Sequence, residues 1–143
     1  MILYLDTSAY IKLFIEESGT ETVQDAAAQA EVLASHVIAY AEMRAAVGRM
    51  RREDRLTGND AASIKRRFER HWKSVLRFIP EEPAIRQAGS FAERFGLKGY
   101  DSVHLACAFL LHKQSSMPLQ FACFDFPLNK AALHLGFQVV TSV

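Results

Sequence analysis

The sequence predicts an α/β fold in which a parallel sheet is covered by helices on both faces. Three observations carry this. The apolar runs Ile2-Leu3-Tyr4-Leu5, 119–124 and 137–141 lack period-two alternation, as strands buried on both faces do. Segments with helical spacing separate the strands, the order that builds crossover connections. The chain has 143 residues, 50% of them apolar and 23% charged, which suits a single domain over residues 1–143 with its own core.

Taken in order, Ile2-Leu5 reads as the first strand. Asp6-Thr7-Ser8 then offers capping side chains to a helix over Ala9–Ile15, which Gly19 breaks. Residues 20–30 form a weakly amphipathic helix. Val32-Leu33-Ala34 is a short strand, with Ser35 as N-cap of a longer helix reaching about Arg52. From Thr57 to Arg77, the residues Ile64, Phe68, Trp72, Val75 and Leu76 fall on one helical stripe. Pro80-Glu81-Glu82-Pro83 opens another helix, carried by Ile85, Ala88, Ala92 and Phe95 and ended by Gly96. A helix from Asp101 to about Lys113 follows, then a loop at 114–118. The last two strands flank a helical turn over 128–135, with Gly136 just past its end.

Composition excludes several classes. The longest apolar run, Leu105 to Leu111, is far short of the ~20 residues of a membrane span. Met1 to Asp6 has no basic leader, so no signal peptide is expected and the cytoplasm is the expected compartment. Cys107 and Cys123 have no CxxC spacing and are expected in the core. No G-x-G-x-x-G follows the first strand, which argues against dinucleotide binding, and Ser8 lacks a G-x-S-x-G elbow.

Four acids stand where packing alone would not put them. Asp6 and Asp125 follow predicted strands, at the carboxyl ends where open α/β sheets bind ligands, although each could simply cap a helix. Asp101 admits the same capping role. Glu42 shares a helical face with Ile38, Ala41, Ala45 and Ala46, where an ionised group is costly unless paired, for example with Arg44, or bound to metal. If these acids converge, two unit charges ~4 Å apart repel by ~4 kcal/mol at an effective dielectric of ~20. Such a cluster needs a cation. Oxygen ligands without a His or Cys pattern favour Mg²⁺ or Mn²⁺ over zinc, and the usual work of such ions is phosphodiester chemistry.

These residues carry a resemblance. Tyr4-Leu5-Asp6-Thr7-Ser8-Ala9, Ala39-Tyr40-Ala41-Glu42, Tyr100-Asp101-Ser102-Val103-His104-Leu105-Ala106 and Asp125-Phe126-Pro127-Leu128, with Ala131-Ala132 and Gly136, resemble PIN-domain ribonucleases. More narrowly, the chain resembles the VapC-type toxins of prokaryotic toxin–antitoxin pairs, over essentially its whole length. The resemblance implies a three-layer α/β/α PIN-like fold with a four- or five-stranded parallel sheet. It implies Asp6, Glu42, Asp101 and Asp125 as a metal-holding, catalytic quartet for Mg²⁺ or Mn²⁺, with Ser8 supporting them by hydrogen bonding. It further implies endonucleolytic cleavage of RNA, a small VapB-type antitoxin as partner, and a homodimer. Two positions depart from the family pattern. Ser102 replaces the usual Ala, and Cys123 replaces the usual Thr or Ser two residues before the last acid. A thiol hydrogen-bonds more weakly than a hydroxyl, so support of the fourth acid is expected to be the weakest part of the site.

Two other readings stay open on sequence alone. One is a phosphatase with Asp6 as nucleophile, although Ser8 stands where it would carry a second acid. The other is a non-catalytic module binding RNA or protein through the same groove. His104 is expected as a packed or hydrogen-bonded residue, and His36, His71, His112 and His134 show no ligand spacing. The formal net charge of +1 conceals an asymmetry. Residues 44–77 hold eleven Lys+Arg against four Asp+Glu, and the remainder six against twelve. Part of that basic run is an ordinary solvated face; the rest suits an approach for a phosphate backbone.

Overall fold

The computed structural model describes residues 1–140 as a five-stranded, all-parallel sheet between two helical layers. The strands are β1 (Ile2–Leu5), β2 (Val32–His36), β3 (Leu76–Phe78), β4 (Leu119–Ala122) and β5 (Gln138–Val139), in the spatial order β3-β2-β1-β4-β5. Every residue of β1 is buried because β1 is central and covered on both faces. Its alternation divides the core. Ile2 and Tyr4 enter one apolar cluster, and Leu3 and Leu5 enter the other.

The layer over Leu3 and Leu5 contains α1 (Thr7–Tyr10), α2 (Thr20–Gln29), α3 (Ala39–Arg52) and α4 (Gly58–Trp72). Here Met43 and Val47 of α3 meet Ile64, Phe68 and Trp72 of α4. The opposite layer contains α5 (Glu82–Phe95), α6 (Gly99–Gln114) and α7 (Phe126–His134), contributing Phe91, Leu105 and Leu128 among others. Cys107 and Cys123 are both buried in this second cluster. No helix among the described residues is long and apolar enough to cross a membrane.

Several elements differ from the sequence expectations. The first helix is only a turn, continued by a 3-10 segment over Ile11–Leu13. Ser35 does not cap α3. It lies inside β2 and donates to the carbonyl of Leu5, locking β2 to the end of β1. The expected helix over 57–77 ends at Trp72, and residues 76–78 pair with β2 as the edge strand β3. Val75 and Leu76 match helical spacing by coincidence; an edge strand with Leu76 exposed gives no apolar run to read. The fourth strand stops at Ala122, and β5 spans only two residues; of the strand expected over 137–141, position 141 lies outside the described residues. Gly136 sits past α7 with φ of 87°, as expected of a residue in the left-handed region.

Candidate active site

All strands being parallel, their carboxyl ends share one edge of the sheet. The chain winds from β1 to β2 and β3 on one side, then crosses to β4 and β5 on the other, so the reversal falls beside β1. A cleft of about 330 Å³ opens there, lined by Asp6, Thr7, Ser8, Glu42, Lys98, Asp101, His104, Phe124 and Asp125. All four acids singled out from sequence face it.

Each acid arrives by a different route. Asp6 follows β1 and caps α1, its Oδ1 accepting the Ala9 amide at 2.9 Å and the Ser8 hydroxyl at 2.7 Å. Ser8 Oγ in turn accepts the Phe124 amide at 3.0 Å, which ties the loop after β4 to the start of α1. The expected supporting role of Ser8 is thus a bridge between the neighbourhoods of the first and last acids. Asp125 caps α7, accepting the Leu128 amide at 2.9 Å, so the capping role and the place in the cleft coexist in both residues. Asp101 does not cap. Lys98 holds the cap position of α6, and Asp101 lies one turn inside with its carboxylate in the cleft.

Glu42 departs from the expectation in its surroundings. The buried face of α3 is Ala39, Met43, Val47 and Met50, while Ile38, Ala41 and Ala45 are exposed, so Glu42 lies at the edge of the apolar stripe. Arg44 is not its partner; that guanidinium reaches Tyr40 and Glu69. Three side chains surround Glu42 Oε1 instead. Thr7 Oγ1 donates to it at 2.9 Å, His104 Nε2 lies at 3.0 Å, and His36 Nε2 at 3.7 Å. His104 is buried and held at its other nitrogen by the Tyr4 hydroxyl, 3.1 Å from Nδ1. His36 ends β2, and its Nδ1 accepts the Ile38 amide. The two imidazole rings lie 4.0 Å apart.

His104 is packed and hydrogen-bonded, as the sequence suggests, but neither its pairing with His36 and Glu42 nor the place of Lys98 was expected. A signal existed for His104, which falls one helical turn after Asp101 and so shares its face. His36 and Glu42 are brought together by the turn between β2 and α3, which no periodicity encodes.

The electrostatics are those of an under-compensated acid cluster. Burial pushes Asp6 up to about 6 against the pull of His104, Ser8 and the Ala9 amide, and Asp101 adds to the rise. Asp101 is itself raised, by burial and by Asp125. Burial would raise Glu42 too, but the hydrogen bond and charge of His104, with the Thr7 hydroxyl, outweigh it and hold the carboxyl below its usual range. His36 is driven down to about 3 by burial and by His104. Asp6 and Asp101 therefore resist ionisation without a further positive charge. Carboxylate and hydroxyl oxygens converge on the cleft beside Lys98 and His104, a donor set that fits a hard divalent cation.

Cys123 is buried beneath the site and does not line the cleft. Its thiol bonds to Asn129 Oδ1 at 3.1 Å, and Asn129 Nδ2 donates back to the Cys123 carbonyl at 3.0 Å. Asp125 is positioned by the first turn of α7, so the substitution at 123 leaves the fourth acid supported by a backbone amide.

The chain is thus an α/β protein with a doubly covered parallel sheet and an acidic cleft at its switch point. Residues 3–117 match the PIN domain family model. Over 138 residues the chain is 31% identical to Ribonuclease VapC45 of Mycobacterium tuberculosis, covering 96% of this chain and 94% of that protein. Its fold resembles the crystal structure of FitAcB from Neisseria gonorrhoeae, with a TM-score of 0.67, 22% identity and coverage of 99% of this chain and 97% of that one. It also resembles VapBC2 from Rickettsia felis, bound in that structure to a DNA fragment from its promoter, with a TM-score of 0.64, 11% identity and 97% coverage of both chains. The chain belongs to the PIN-domain family, and within it to the VapC-type proteins. Nucleases of this family use divalent metals.

Proposed function

We propose that the chain is an endoribonuclease working with Mg²⁺ or Mn²⁺ and is the toxin of a toxin–antitoxin pair. The observation that carries this reading is the convergence of Asp6, Glu42, Asp101 and Asp125, from four separate elements, on one cleft at the carboxyl edge of the sheet. The name ribonuclease of a relative aligned over nearly the whole chain supports RNA as the substrate. So does the basic surface of α3 and α4, where Arg44, Lys65, Arg66 and Arg70 line a shared depression.

In this mechanism the four carboxylates would hold the ion, while Ser8 and His104 fix the two that they touch, Asp6 and Glu42. A divalent cation bound there supplies positive charge to the phosphate oxygens and lowers the pKa of water, the two functions hydrolysis of a phosphodiester requires. Thr7, His104 and His36 converge on Glu42 Oε1, which fixes the carboxylate so that its second oxygen would be the one offered to the ion. Lys98 offers its ammonium to the substrate phosphate at the rim. Thr7 donates its hydroxyl to Glu42 and so helps to position that carboxylate.

The remaining parts of the proposal follow from membership of the VapC-type group. Residues 1–143 form one PIN domain, acting in the cytoplasm as a homodimer, with a VapB-type antitoxin whose tail occupies the acidic cleft. Inducible expression in bacteria, followed by sequencing of RNA 5′ ends, tests the activity. Discrete new ends with the parent chain, absent with Asp6→Asn, are expected; identical end profiles for the two proteins would refute the ribonuclease reading.

A further inference from the structure

A second cavity, of about 400 Å³, lies between the end of α5 and α7 and is lined chiefly by Arg94, Phe95, Phe126, Lys130 and His134. Its chemistry is opposite to that of the acid cleft. No carboxylate lines it, and among the described residues neither Arg94 nor Lys130 has an acid within ion-pair distance. The guanidinium of Arg94 lies 4.8 Å over the ring of Phe95, and His134 meets the same ring edge-on at 5.5 Å. Phe126 is 58% exposed, an unusual position for a large apolar ring with no packing to gain.

The cavity is continuous with the acid cleft in the chain itself. Phe126 follows Asp125 directly, so the residue that closes the cleft and the residue that opens the cavity share the first turn of α7. An exposed aromatic face beside unpaired cations is the combination that holds a nucleotide of a single strand: the ring stacks the base, and the cations take the phosphate. We propose that this cavity is a subsite for a nucleotide adjoining the scissile phosphate, with Phe126 stacking its base and Arg94 and Lys130 binding its phosphate. This inference rests on the ribonuclease reading, and it places the strand along α7 as it leaves the acids.

The test measures binding in an Asp101→Asn background, where cleavage is suppressed, using a fluorescein-labelled single-stranded RNA of twelve nucleotides and one of three. Phe126→Ala is expected to weaken the twelve-nucleotide RNA by about tenfold, the loss typical of one stacked base. Arg94→Ala with Lys130→Ala should weaken it and flatten the slope of log Kd against log salt by about 0.7 for each lost phosphate contact. The three-nucleotide RNA still reaches from the cleft to the adjoining nucleotide, so it should show the same relative losses as the longer one. All three side chains are exposed, so circular dichroism and melting temperature should match the parent. Variants that bind the longer RNA as tightly as the parent, with an unchanged salt slope, would overturn the proposal and leave the cavity to a protein partner. Cleavage of the same RNA by the unmodified chain is scored separately: pocket-dependent binding without cleavage would count against the ribonuclease and for the subsite.

Discussion

His104 Nε2 lies 3.0 Å from Glu42 Oε1, joining the second turn of α6 to the first turn of α3 across the cleft. With the Tyr4 hydroxyl behind it, the imidazole has one orientation, and Glu42 is held where rotamer freedom would otherwise take it into solvent. Groups that orient a ligating carboxylate contribute about 10–100-fold to metal affinity or activity. His104→Ala should therefore lower RNA cleavage by about 10–100-fold and raise the Mg²⁺ concentration needed for half-maximal rate. His104→Gln, which keeps a donor, should retain more activity than Ala. Unchanged metal dependence in His104→Ala would show that Glu42 needs no such support.

Metal should stabilise the fold. An ion that binds only the native state at 100 times its Kd adds about 2.7 kcal/mol. For a domain of this size each kcal/mol raises Tm by about 3–5 °C. Titrating Mg²⁺ or Mn²⁺ into the metal-free protein should raise Tm progressively, and Asp101→Asn should suppress the rise. A Tm indifferent to millimolar divalent ion would mean that the acids do not bind it.

The pH dependence of the metal-free protein contains two opposed contributions. Asp6 has a folded-state pKa of about 6, above its unfolded value. The native state therefore binds its proton more tightly, and the stability this confers, present at low pH, is lost as pH rises through about 6. A shift of about two units corresponds to about 3 kcal/mol. His36 acts the other way. Its pKa of about 3 in the fold means that the unfolded chain takes up a proton first, so stability is lost as pH falls below the ordinary histidine range. Asp6→Asn, which can still cap α1, should stabilise the metal-free protein more at pH 7 than at pH 4. His36→Gln should flatten the acid limb. Chemical denaturation at a series of pH values measures both, and parallel profiles for Asp6→Asn and the parent would contradict the assigned shift.

Gly19 precedes α2 with φ of 90°, and a Cβ built there collides with the ring of Phe124, a residue lining the cleft. Gly19→Ala should cost stability through its backbone conformation and displace the ring, over which Lys12 Nζ lies at 4.3 Å from the centroid. The measurable outcome is a lower Tm together with altered cleavage. A loss of stability with unaltered cleavage would mean that the ring position does not matter to the site.

Much of the architecture was legible in the sequence because its signals are local. The buried run at 2–5, the helical spacing over 82–95 and Gly136 each report a backbone state through neighbouring residues. Likewise the acids at 6 and 125 were recognisable because parallel strands must deliver their carboxyl ends to a common edge. What escaped was non-local. The strand at 76–78 exists because β2 offers it an edge, not because its own residues demand it. The setting of Glu42 depends on His36 from the preceding strand and His104 from a helix sixty-two positions away, a meeting produced by topology. Asp101 could be read either as a cap or as a site residue, because a short acid before a helix is ambiguous until the helix start is known to the residue.

The most direct test of the account is cleavage of end-labelled RNA by the purified chain, with Mg²⁺ or Mn²⁺ and with EDTA, beside Asp6→Asn and Asp101→Asn. The predicted result is defined fragments from the parent protein with metal, none with EDTA, and little or none from either variant, with all three proteins folded by circular dichroism. Fragments that persist in EDTA, or that both variants produce at the parent rate, would contradict it.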